Sequence, residues 1–278
     1  MQIDEFSLTT SDGLKLYAKE WKPESKAKAV VVLVHGLGEH IGRYEHVAQR
    51  YTDANFIFRG FDLRGHGKSE GAHGHAPSYD QLMKDIDQFI QMAHIAYPEL
   101  PVFLYGHSLG GALVLYFGET CQNDLRGIIA TSPGLAPTEP VPAIKIAAGK
   151  LLAKIAPKFK MQNALDLSGL ARDPEVPEKY RKDPLVHPFI SASLGTELLT
   201  KGKYIVDHAS SFSLPLLLLQ GSADRLVNAP MTAEFADKVP QNLLTYKVFP
   251  GFYHELHNEP QKDQVFEEMF KWLDRNLN

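Results

Sequence analysis

The chain has 278 residues, 44% hydrophobic and 22% charged, a composition of soluble globular enzymes that excludes collagen-like and disordered classes. Its 29 Lys and Arg against 33 Asp and Glu leave a formal charge of −4, so no global positive field exists to hold phosphates and no nucleic-acid partner is expected. The single cysteine, Cys121, excludes an internal disulfide and a thiolate metal site, and the acidic start "MQIDEFSLTTSDG" is unlike a secretory leader, so a cytoplasmic setting is expected.

The length is generous for one average domain and short for two, which suits one core carrying an insertion. In chain order, "DEFSLTT" and "LKLYAKEW" joined by "SDG" read as an antiparallel hairpin. Then come the apolar runs "AVVVLVHG", "FIFRGFD", "VFLYGHS" and "GIIATSP", separated by helix-like segments near Arg43 to Thr52, Tyr79 to Tyr97 and Leu109 to Cys121. Continuous apolar runs of this kind suit strands buried on both faces, as in a parallel sheet. The alternation breaks between Pro133 and Ser213, where prolines, lysines and helical patterns replace strands. It resumes with "LPLLLLQGS", a helix near Met231 to Lys238, the strand "LLTYKVFPG" and a terminal helix ending in "FKWLDRNLN". The expected fold is therefore α/β, a mostly parallel central sheet flanked by helices, with a core at 1–133 and 213–278 and a mainly helical cap at 134–212. No stretch approaches membrane-spanning length.

The chemistry concentrates where "VFLYGHSLGG" runs from strand to helix. A Gly-x-Ser-x-Gly sequence in that context reads as a nucleophile elbow, with Gly106 and Gly110 removing Cβ atoms that would clash in so sharp a turn around Ser108; its bland alternative is a small turn serine. A serine hydroxyl needs a base, and the base needs an orienting carboxylate. Asp224, in "GSADRLV", follows a core strand, where the loops of open α/β sheets gather their active-site groups; its bland alternative is a turn aspartate capping the next helix. "TYKVFPGFYHELHNE" offers two bases, His254 and His257, of which His254 lies nearer the strand end. Two backbone donors are needed for the developing oxyanion, and the amides of Leu37 and Leu109 are placed to supply them.

Together "HGLGEHIGRY", "GHGKSEG", "GHSLGG", "LLLQGSADRLV" and "YHELHNE" resemble the monoglyceride lipase family of α/β-hydrolases, with motifs spread over nearly the whole chain. The resemblance implies the α/β-hydrolase fold, a triad of Ser108, Asp224 and His254, no cofactor, and a lipid-like substrate, a monoacylglycerol split into glycerol and fatty acid. It also implies that Glu39, Arg43 and His257 line the polar end of the pocket, with Tyr180 of the cap beside them. The bland alternative for "EHIGRY" is a segment that fixes a loop and a helix start. Other functions that use the same residues are a lysophospholipase, a broad carboxylesterase, or a non-catalytic small-molecule-binding protein of this fold.

Two further signals stand apart from the triad. His66, His73 and His75 in "RGHGKSEGAHGHAP" sit on glycine-rich spacing that gives metal ligands no rigidity, so no metal is expected and Gly65, Gly67 and Gly71 are read as shaping a loop. In "VPAIKIAAGKLLAKIAPKFK", Val141, Ile144, Ala148, Leu151, Leu152, Ile155 and Phe159 form one helical stripe, with Lys150, Lys154 and Lys158 opposite. Such a helix suits an anionic membrane surface, and equally a cap helix packed inward with solvated lysines.

Overall fold

The computed structural model describes residues 1–121, 124–163 and 165–277. Its inner strands form on largely apolar runs such as Ala29–Val34, Phe56–Phe61 and Val102–His107, which are buried throughout. The elements begin with β1 (Gln2–Thr9), β2 (Lys15–Lys22) and β3 (Ala29–Val34), then α1 (Glu45–Asp53), β4 (Phe56–Phe61), α2 (Tyr79–Ala96), β5 (Val102–His107), α3 (Leu109–Thr120) and β6 (Gly127–Thr131). An insertion follows: α4 (Ala143–Ile155), β7 (Lys160–Gln162), α5 (Glu175–Lys182), β8 (Phe189–Ser191) and α6 (Ala192–His208). The chain closes with β9 (Leu216–Gly221), α7 (Ala229–Lys238), β10 (Leu244–Phe249) and α8 (Asp263–Arg275). Asn278, in the expected terminal helix, lies outside the described residues.

Among the described residues the main sheet has eight strands in the order β1-β2-β4-β3-β5-β6-β9-β10. Only the β1–β2 hairpin and its join to β4 are antiparallel; the rest are parallel. Because strand side chains alternate in direction, Val30, Val32 and Val34 enter one core with α2 and α3, while Val31 and Leu33 enter the other with α1 and α8. Trp272, Met269, Phe266 and Val265 supply the α8 stripe, spaced at three and four residues, and all are buried. The insertion is mainly helical, as expected, but it also holds the short antiparallel pair β7–β8, too brief and mixed in sequence to read as strands. The helix expected from Arg43 is split by a 3₁₀ turn at Ile41–Tyr44 before α1 begins. No described helix is long and apolar enough to cross a membrane.

The strand order matters for the site. β3, β5, β6, β9 and β10 lie side by side in parallel, so the loops at their carboxyl ends open on the same edge of the sheet. Leu37, Ser108, Asp224 and His254 all lie within a few residues of those ends.

Candidate active site

Ser108 joins β5 directly to α3 and adopts φ 55°, ψ −116°, a conformation an L-residue rarely holds. The turn closes only because its flanks are bare. An ideal Cβ on Gly106 would lie 2.2 Å from the Gly110 carbonyl oxygen, and one on Gly110 would lie 2.0 Å from that of Val34. Half-buried, Ser108 faces a cavity of about 780 Å³, which is walled mostly by aliphatic groups and shared with Leu37, Glu39, Arg43, Leu109, Tyr180 and His254. The amides of Leu37 and Leu109 make no hydrogen bond within the described residues, and both residues line the same wall.

His254 is almost wholly buried, and its Nδ1 stands 2.9 Å from Asp224 Oδ2. Asp224 is held in turn by Gln220 Nε2 on the same oxygen, at 3.0 Å, and by the amides of Leu226 and Val227 on the other, at 2.9 and 3.1 Å. Its turn therefore points the carboxylate at the imidazole as well as bonding the local backbone. Burial opposes charge on both groups, yet each is held toward its charged form. The Asp224 carboxylate lifts the His254 pKa above the ordinary 6.5, and the imidazole and two amides keep Asp224 below 3.8. The imidazole backbone is fastened too: Ser132 Oγ donates to the His254 carbonyl at 2.8 Å.

The polar end of the cavity is built around Arg43. Its guanidinium donates to both oxygens of Glu255, at 2.8 and 2.9 Å, and to Glu39, and it lies 4.7 Å over the ring of Tyr180. Burial works against its charge, but Glu255 and Glu39 outweigh that and raise the Arg43 pKa. Glu39 also accepts from the Gly36 amide at 2.6 Å and the Tyr44 hydroxyl at 2.8 Å. It thus fixes the loop that presents Leu37 while lining the cavity, combining the two readings of "EHIGRY". Glu255 was not singled out in the sequence; the only signal was a carboxylate between two histidines in "HELH".

Residues 25–261 match the hydrolase family described as serine aminopeptidase, S33. A monoacylglycerol lipase of Mycolicibacterium smegmatis is 32% identical over 98% of this chain and 98% of its own length. A monoglyceride lipase of Rattus norvegicus is 33% identical over 97% of this chain and 90% of its own. The crystal structure of Paleococcus ferrophilus monoacylglycerol lipase superposes with a TM-score of 0.86 at 34% identity, covering 94% of this chain and 99% of that one. This chain belongs to the monoglyceride lipase family of α/β-hydrolases.

Within that family frame, two expectations change, for His257 and for the α4 stripe. His257 does not reach the cavity. It is fully buried behind it, 4.9 Å from the rings of both Tyr44 and His107, because the 3₁₀ turn Leu256–Asn258 carries it inward as His254 faces the wall. Burial, reinforced by His107, keeps its pKa well below the usual value. The stripe on α4 is also divided. Val141, Ala148 and Leu152 line the cavity with Lys145, Ile146 and Gly149, whereas Ile144, Leu151, Ile155 and Phe159 are exposed by 78, 60, 72 and 54%. At about 100° per residue Ile144, Leu151 and Ile155 of α4 form a ridge next to the cavity-facing arc, with Lys150 and Lys154 beyond it. The histidine-rich loop is stacked rather than convergent. His187 of the insertion lies 4.8 Å from His66 and 4.9 Å from His73, while His75 pairs with Ser191. Gly65 carries the turn at φ 69°, where a Cβ would meet the Ala72 carbonyl at 2.1 Å.

Proposed function

We propose that this chain is a serine hydrolase that cleaves a monoacylglycerol through an acyl-enzyme. The observation that carries the reading is the His254–Asp224 pair facing the same large apolar cavity as a serine on a strained elbow. Ser108 Oγ attacks the ester carbonyl as its proton passes to His254, and the resulting oxyanion takes hydrogen bonds from the Leu37 and Leu109 amides. His254 returns the proton to the glycerol oxygen as the carbon–oxygen bond breaks. Water, deprotonated by the same imidazole, then releases the fatty acid and restores Ser108. These three side chains and water account for every proton and electron pair, so the reading calls for no cofactor.

The headgroup site favours a neutral alcohol. Two carboxylates, Glu39 and Glu255, share one guanidinium, leaving that end one negative charge in excess. A phosphate there meets repulsion, which supports glycerol over a lysophospholipid headgroup. Tyr180 closes the same end from the insertion, and the segment 134–212 acts as a cap whose α4 residues wall the acyl channel. The exposed ridge of α4 beside that wall supports peripheral contact of a cytoplasmic enzyme with a lipid surface. Labelling by a fluorophosphonate, located by mass spectrometry, is expected at Ser108, and a panel of monoacylglycerols, lysophospholipids and short nitrophenyl esters is expected to rank monoacylglycerols first. A chain that resists labelling and hydrolyses none of them would instead be a binding protein of this fold.

A further inference from the structure

We infer that Arg172, in the insertion, is a positioning residue for the catalytic base; the inference rests on the role just given to His254. The segment Gly169–Arg172 lies along the loop Phe252–Glu259 and bonds it repeatedly. The His254 amide donates to the Gly169 carbonyl at 3.3 Å, and the Glu255 amide donates to that of Leu170 at 2.7 Å. Arg172 Nε donates to Glu259 Oε2 at 2.6 Å, and its Nη2 donates to Gln261 Oε1 at 2.5 Å. Its guanidinium stacks 4.7 Å over Phe252.

Glu259 makes this more than a surface ion pair. Its side chain has no exposure, and its Oε1 accepts the amide of Tyr253, immediately before His254, at 2.7 Å. The same oxygen also accepts the Arg172 amide at 3.3 Å. A buried carboxylate thus grips the backbone on one side of the base, and Arg172 supplies its cation. Ser132 holds the His254 carbonyl from the core. Besides the hold of Asp224 on the imidazole, the backbone around the base therefore has three anchors, two of which come from or depend on the insertion. Without Arg172 the buried carboxylate loses its countercharge, and its grip on the Tyr253 amide weakens.

The test compares Arg172→Gln, Arg172→Lys and Glu259→Gln, and the Arg172→Gln/Glu259→Gln double variant, on a soluble short-chain ester well below each melting temperature. Arg172→Gln is expected to lower kcat roughly 10- to 100-fold with KM within about twofold, since displacement of a catalytic group by about 1 Å costs on that order. The rate of fluorophosphonate labelling should fall in step, and Arg172→Lys should recover most of it. The double variant should match Glu259→Gln alone, because Arg172 acts through that carboxylate. Unchanged kcat in folded Arg172→Gln would overturn the inference, as would additive losses in the double variant. If Arg172→Gln does not fold, the Lys and Glu259→Gln variants carry the decision: unchanged kcat and labelling in both overturns it. A wild-type chain that fluorophosphonate does not label would remove the hydrolase reading itself, a distinct result from failure of the clamp.

Discussion

Replacing Leu151 and Ile155 with serine tests whether the α4 ridge meets lipid. These side chains are 60 and 72% exposed, so little of their area is already withdrawn from water. Full burial of an aliphatic side chain is worth about 1.5–3 kcal/mol, and scaling by these exposures gives roughly 2–4 kcal/mol for the pair. If half of that area enters the headgroup region, about 1–2 kcal/mol remains, a five- to thirtyfold fall in partitioning. The assay is sedimentation with vesicles containing anionic lipid, alongside hydrolysis of a long-chain monoacylglycerol dispersed in them and of a soluble short ester. Vesicle binding and long-chain hydrolysis should fall together, with the short ester unaffected. Unchanged partitioning would refute the membrane role of the ridge. Equal loss on both substrates would show that these residues pack to support the core, contrary to their exposure.

Ser108→Ala should fold normally, lose labelling and show no turnover above background. The proposed mechanism needs a neutral His254, whose pKa is raised above 6.5 by Asp224, so kcat/KM should climb with pH through a limb above that value. Asp224→Asn should move the limb downward and cost on the order of 10⁴-fold in kcat, and an unmoved limb would assign it to another group. Gly110→Ala drives a methyl into the Val34 carbonyl and should cost about 1–3 kcal/mol or more, seen as a lowered Tm and lost labelling. Among the described residues the oxygens of Glu119, a largely buried carboxyl, have no hydrogen-bond partner, and burial pushes its pKa up to about 8. Its folded form resists ionising while the unfolded form does not, so it lowers stability increasingly from about pH 4.5 to 8. Glu119→Gln should therefore raise Tm at pH 8 and above but not at pH 4; equal Tm values at pH 9 would contradict this.

The parallel core was legible because "AVVVLV" and "LLLLQG" are apolar without alternation, which only a strand covered on both faces tolerates. The turn at Ser108 was legible for a steric reason, since a strand–helix junction this tight leaves no room for a Cβ at 106 or 110. The environment of Arg43 was not, because its bidentate partner lies 212 positions away and forms only when β3 and β10 loops meet. The histidines at 254 and 257 differ by one 3₁₀ turn, and nothing in their spelling says which points inward. Helical periodicity likewise identified an apolar stripe on α4 but treated the residues on both sides of a cavity rim as one surface.

Both open edges of the main sheet carry charge. β1 shows Asp4, paired with Lys22, and Glu5; β10 carries Lys247, paired with Glu268. A neighbouring molecule that tried to extend the sheet would have to desolvate these groups and break their pairs. That protection counts most wherever many copies are crowded together, because high local concentration favours strand addition and amyloid-like growth. Copies gathered at high density can thus come away as separate molecules.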